Sequence, residues 1–180
     1  MKAIKYRCFF IWNFDKEENW LNEMAAKGLV LANVCFIRYV FESCSPGEYN
    51  IRLEMLNNSV NHAESRRYIR FLEDIGVECI CNLSRWVYFR KKAESAPFDL
   101  FSDIDSRIGH LKRILLIPAI LGFANAVNAI NMTMRFVQSG YEYVLAPMLL
   151  TWAVSVWMAY GYMRLCGKKK KLETERMLHE

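Results

Sequence analysis

Residues 114–134 read ILLIPAILGFANAVNAINMTM and residues 143–163 read YVLAPMLLTWAVSVWMAYGYM, two runs of 21 residues without a charged side chain. As α-helices rising about 1.5 Å per residue, each is long enough to cross the roughly 30 Å hydrocarbon core of a bilayer. Only eight residues part them, and these include Ser139-Gly140, which suits a tight turn. The expectation is an antiparallel transmembrane hairpin over residues 114–163, rather than two core helices of a soluble protein.

Charge separates the chain into the same regions and orients it. Through Arg113 there are 17 Lys/Arg against 15 Asp/Glu, residues 114–163 hold only Arg135 and Glu142, and residues 164–180 form a basic tail with six basic and three acidic side chains. A mean hydropathy of +0.01 therefore averages a water-soluble part with a lipid-soluble one. Arg107, Lys112 and Arg113 precede the first run, and Arg164, Lys168, Lys169, Lys170, Lys171 and Arg176 follow the second; the link between the runs has only Arg135. Basic residues gather on the cytoplasmic side of membrane proteins. The chain is thus expected to lie in the cell membrane as a multi-pass protein with both termini cytoplasmic, and lipid is its first expected partner.

The two runs carry polar and small faces. Asn125, Asn128 and Asn131 recur every three residues in the first, and Thr151, Ser155 and Ala159 every four in the second. Folding the hairpin about its link is expected to bring Gly122 level with Ser155 and Ala126 level with Thr151, so that these faces pack with amides and hydroxyls bonded across them. The alternative, asparagines lining a permeation path, requires further spans or a homo-oligomer.

Ahead of the hairpin the pattern changes to that of an α+β domain, expected over residues 1–97 with Pro97 as its end. Alternation of apolar and polar side chains marks strands at Tyr49, Ile51, Leu53 and Met55, at Tyr6, Cys8, Phe10 and Trp12, and at Ile37, Tyr39 and Phe41. Asp15 with Glu18, and Asn61 with Glu64, have the spacing of a capping box and open two expected helices, stopped by Gly28 and Gly76. Trp20, Leu21 and Met24 form the apolar side of the first, and Tyr68, Phe71, Leu72 and Ile75 that of the second. Laying Gly28 on Gly76 also lays Trp20-Leu21 on Tyr68-Ile69 and Val40-Phe41 on Tyr88-Phe89. The domain is therefore expected to be a duplicated β-α-β-β unit, an antiparallel sheet with two helices on one face, ferredoxin-like in outline. Residues 98–113 form an expected juxtamembrane amphipathic helix, capped by Ser102 with Asp105, whose Phe101, Ile104, Ile108 and Leu111 share a stripe.

Several phrases resemble a bacterial family known as domain of unknown function 2812. They are FDKEENWLNEMAAKG at 14–28, YVFE at 39–42, GEY at 47–49, YIRFLEDIG at 68–76, VYFRK at 87–91 and LFSD at 100–103. The resemblance covers residues 4–113. It implies a cytoplasmic domain followed by membrane spans in Gram-positive bacteria, often encoded beside PadR-like transcriptional regulators. It carries no activity or catalytic residue to this chain.

Nor do the residues themselves spell out a reaction. His62, His110 and His179 fall at a helix start, a membrane edge and a tail, which offers no triad, and Asp103 and Asp105 flank a helix start. The six cysteines match no disulfide framework and are expected to be reduced and mostly buried; Cys79-x-Cys81 lacks the spacer and second pair of a zinc site. No enzyme, metal or cofactor is expected, and a domain of net +2 does not suggest nucleic-acid binding. Arg66, Arg67 and Arg70 on the second helix could meet anionic lipid or an acidic partner, although a solvated face accounts for them as well. The expected function is a membrane-anchored binding or regulatory module acting with a protein partner, a transcriptional regulator first. The alternatives are an accessory subunit of a transporter and, more remotely, an enzyme.

Overall fold

The computed structural model describes residues 2–93, 100 and 104–179. The chain divides into two compact units, residues 1–103 and 104–180. The expected domain end at Pro97, together with Phe101, Ser102 and Asp103 of the expected cap and stripe, lies outside the described residues.

The first unit runs β1 (Lys2–Tyr6), α1 (Phe14–Ala26), β2 (Leu29–Cys35), β3 (Arg38–Ser43), β4 (Tyr49–Met55), α2 (Ala63–Asp74), β5 (Val77–Leu83) and β6 (Trp86–Lys92). This is the β-α-β-β unit twice over. The strands form two three-stranded antiparallel sheets, ordered β1-β3-β2 and β4-β6-β5, in place of the single sheet expected. The repetition extends to irregularities. A bulge interrupts β2 between Leu31 and Asn33 and β5 between Cys79 and Cys81; left-handed backbone occurs at Phe36 (φ 50°) and Ser84 (φ 58°), and at Gly28 (φ 82°) and Gly76 (φ 81°). Each of these pairs is 48 residues apart.

Why two sheets rather than one follows from their edges. The edge strands β2 and β5 lie against each other without pairing, and each is bulged in the ladder with its own neighbour, which breaks the regular spacing that a shared ladder requires. The edge strand β4 is covered by α1. Asn22 bonds both backbone groups of Ile51, donating from Nδ2 to its oxygen (2.9 Å) and accepting from its N–H at Oδ1 (2.8 Å), and Glu18 Oε2 accepts from the N–H of Leu53 (2.9 Å). One turn apart on the helix, these side chains supply what a neighbouring strand would, so the edge of β4 is closed to pairing.

This use of Glu18 overturns the expected capping box. The residue preceding α1 is Asn13, with no side-chain cap bond, and Glu18 instead holds β4 and Arg52 (2.8 Å). At α2 the cap is His62, whose Nδ1 accepts from the N–H of Glu64 at 3.4 Å, not Asn61. Both glycine stops stand as expected.

Two further expectations are corrected. The run Tyr6, Cys8, Phe10, Trp12 is no strand: β1 ends at Tyr6, a 3-10 turn occupies Ile11–Asn13, and of the four only Trp12 is buried. In this irregular segment Phe10 stacks on Trp12, and Phe9, from the other side of the alternation, packs on Trp20. On α2 the buried side chains are Ser65, Ile69 and Leu72, while Phe71 and Ile75 are exposed. The helical period was right and its phase was not, because small Ser65, bonded to the oxygen of Asn58, takes a place on the inner face.

The repeats share a core. Leu21, Leu31, Tyr39 and Phe41 of the first pack with Ile51, Leu53 and Tyr88 of the second, and a smaller cluster around Ile69, Leu72, Val77 and Phe89 lies beneath α2.

The second unit is a helical hairpin. α3 (Ile104–Ser139) joins residues 104–113 of the expected juxtamembrane helix and the first run in one 36-residue helix, and α4 (Leu145–His179) takes in the second run from Leu145, after a 3-10 turn at Glu142–Val144, and continues into the basic tail. Gly140, at φ 66°, makes the turn. Ile108, Leu111, Leu115, Pro118, Gly122, Asn125, Ala129 and Met132 form the seam side of α3 at alternating spacings of three and four, the repeat of a left-handed helix pair. Away from the seam Phe123, Val137, Leu150 and Val156 are 66–77% exposed. Both helices are long and apolar enough to cross a membrane, and little of either apolar stretch is buried.

Candidate functional site

The side chains that line the inner face of α1 are Glu17, Leu21, Met24 and Ala25, an acid in phase with an apolar stripe. Glu17 is 9% exposed. Two phenols meet it from the strands opposite: Tyr39 OH on β3 and Tyr88 OH on β6 both donate to Oε1, at 2.8 and 2.7 Å. Each repeat thus contributes one tyrosine to a carboxylate of the first. Among the described residues nothing donates to Oε2.

Burial raises the pKa of Glu17 above the usual carboxylate range, against the two phenolic hydrogen bonds, which pull it down. Burial, then the neighbouring carboxylate, pushes both tyrosines well above their ordinary value, so they remain neutral donors. Taking a carboxylate out of water costs several kcal/mol, and a hydrogen bond to a charged acceptor returns roughly 1.5–3 kcal/mol. The two phenols offset the burial of the charge only in part, which is why the pKa stays raised.

Glu17, Tyr39 and Tyr88 also face a cavity of about 110 Å³. Its walls are aromatic: Phe14 and Trp86, with ring centroids 5.9 Å apart, and Phe36 at the tip of the β2–β3 hairpin. Phe36 is 77% exposed and sits at positive φ, an unfavourable conformation for a bulky side chain. Typical small-molecule pockets occupy about 300–1,000 Å³. This one is too small for a nucleotide and suits a group of a few heavy atoms. Chemically it offers one fixed carboxylate beneath aromatic faces.

Sequence reasoning missed this cluster, though a signal existed: Glu17 stands one helical turn before Leu21, on the buried stripe, where a charge needs a partner. Of the residues it singled out, Arg66, Arg67 and Arg70 are exposed on α2. In the hairpin, Asn125 Nδ2 donates to the oxygen of Thr151 and to Ser155 Oγ, both at 2.8 Å. Gly122 lies opposite Met158, whose Cβ is 3.2 Å from where a Cβ on Gly122 would stand, rather than opposite Ser155. Ala126 is half-buried, while Asn128, Asn131 and Ala159 face outward, and Asn131 bonds the oxygen of Val127 in its own helix (3.0 Å). Three-residue spacing turns about 60° per step around a helix of 3.6 residues per turn, so three asparagines cannot all face one neighbour.

The six cysteines are free thiols; Cys8 and Cys35 are exposed, against expectation, and burial pushes the Cys81 thiol up to about 11. Asp105 pairs with Arg176 at 3.0 Å. No three His, Cys, Asp or Glu side chains gather to hold a metal among the described residues.

No curated protein and no solved structure matches the chain. The model of a family described as "Protein of unknown function (DUF2812)" matches residues 13–122, and the chain belongs to that family. The match begins at the start of α1, takes in Glu17, Tyr39 and Tyr88, and extends into the apolar part of α3.

Proposed function

We propose that this member of the family is a binding or regulatory module anchored in the cell membrane, its β-α-β-β repeats in the cytoplasm and the α3–α4 hairpin crossing the bilayer. The observation that carries the anchoring is the outward surface of the hairpin: its apolar side chains are mostly unburied, and exposing them to water would forfeit about 25 cal/mol for every Å² of apolar surface. The excess of basic residues before the first run and after the second supports cytoplasmic termini. The binding role is supported by a carboxylate-floored aromatic cavity without a recognised catalytic set beside it, and we read the chain as no enzyme. Its partner is a protein, a PadR-like transcriptional regulator on the strength of the family resemblance alone.

A second reading, an accessory subunit of a transporter or a homo-oligomer, is favoured by Asn128 and Asn131. Outward-facing amides within an apolar helix gain from meeting another transmembrane helix.

Impermeant thiol labelling of intact cells tests the anchoring and its direction. A cysteine replacing Ser139 is expected to react, and one replacing Thr174 to remain unlabelled until the membrane is opened. Labelling of Thr174→Cys in intact cells, or extraction of the chain by alkaline carbonate, would contradict it.

A further inference from the structure

The two repeats provide an internal control for the role of Glu17. The inner faces of α1 and α2 correspond position by position, Leu21 to Ile69 and Met24 to Leu72, and on that register Glu17 corresponds to Ser65. The second repeat packs its helix without a carboxylate at this place. At the hairpin tips, Phe36 corresponds to Ser84, both with left-handed backbone. The same unit therefore folds with serine at both positions, and the first repeat carries an acid and an exposed aromatic ring instead. Neither is required by the scaffold, and both border one cavity.

We propose that this cavity binds a small organic cation, an alkylammonium or quaternary ammonium group, against the Glu17 carboxylate and the faces of Phe14, Phe36 and Trp86. The proposal rests on the reading of the domain as a binding module and names its ligand class. The charge of the ligand follows from the carboxylate, which keeps one oxygen unbonded among the described residues after both phenols have donated to the other. A cation meeting it would gain a hydrogen bond or a close charge contact with a carboxylate that is itself only 9% exposed. The aromatic walls add attraction between a positive charge and the electron-rich ring face. Nearby rings already hold a cation in this way: the Arg7 guanidinium lies 5.0 Å from the centroid of Phe9 and 5.1 Å from that of Trp20. The size follows from the volume, about 110 Å³, at roughly 30 Å³ for each water it could accommodate. A headgroup of several methyl or methylene groups on one nitrogen fits; a peptide or nucleotide does not.

The test uses the full chain in detergent, with choline and its uncharged isostere 3,3-dimethylbutan-1-ol as probes, and binding read by calorimetry. Choline is expected to bind at least tenfold more tightly than the isostere. Glu17→Gln, which keeps an oxygen for the two tyrosines, is expected to reduce that preference severalfold, to what the aromatic walls alone supply, while the thermal midpoint is not lowered; Phe36→Ala is expected to weaken choline binding severalfold. If both probes bind equally well to the unaltered chain, the cation assignment is wrong although a binding cavity remains. If Glu17→Gln keeps the full preference, the carboxylate is not its source. If neither probe binds, the proposal falls, and with it the cavity's part in the binding module, while the labelling of residues 139 and 174 judges the membrane anchoring separately.

Discussion

The two β-α-β-β repeats share a scaffold and differ in chemistry. Residues 48 apart repeat the bulges, the left-handed turns and the hairpin register, and Phe41 and Phe89 stand in the same place on β3 and β6, each fully buried. Where the copies diverge, at Glu17 against Ser65 and Phe36 against Ser84, the first lines a cavity. A duplication allows one copy to keep the fold while the other changes, and the comparison separates what the backbone needs from what a site needs.

The largest effect should come where the copies agree. Phe41→Ala and Phe89→Ala each remove a side chain with 0% exposure, and each is expected to cost about 3–5 kcal/mol. Hydrogen exchange of the β3 and β6 amides in the solubilised chain measures both. A loss confined to one repeat would show that the copies are not equivalent in the core.

The equivalence was readable from sequence because it rests on glycine stops and buried aromatic residues, which announce themselves through position and period. What was not readable depends on the partner a side chain finds. Glu18 has the spacing of a helix cap but reaches the backbone of Leu53, 35 residues on, and Asn22 has no local signature for its bonds to Ile51. Phe71 and Leu72 are adjacent and equally apolar, and only the depth allowed by Ser65 decides which is buried. In the hairpin the runs were plain, yet which asparagine would enter the seam depended on a register that composition does not set.

A smaller effect sharpens the difference between two positions that look alike. Gly28 and Gly76 both stop a helix at positive φ, but a Cβ on Gly28 would stand 3.0 Å from the oxygen of Cys44, whereas nothing lies within 4 Å of one on Gly76. Gly76→Ala is expected to cost the left-handed penalty alone, about 1–2 kcal/mol. Gly28→Ala should exceed it, because backbone must also shift. Thermal unfolding of the two variants decides it, and equal losses would mean that the β3–β4 connection gives way freely.

The smallest effect bears on the central claim, that Glu17 is kept for a ligand and not for stability. Its pKa is raised in the folded chain. A carboxyl of this kind contributes its full stability below the unfolded value, near the ordinary 4.5, and loses it as pH rises through the folded value. Glu17→Gln has no such loss, so the stability of the variant relative to the unaltered chain should grow with pH from about 4.5 upward and level off once Glu17 is ionised in the folded state. The measurement is thermal unfolding of both chains in detergent across that range, without added amines. A relative gain that rises with pH is the predicted result; a Gln variant that is less stable by the same margin at every pH would show the carboxylate to be a structural partner of Tyr39 and Tyr88 and would contradict the account.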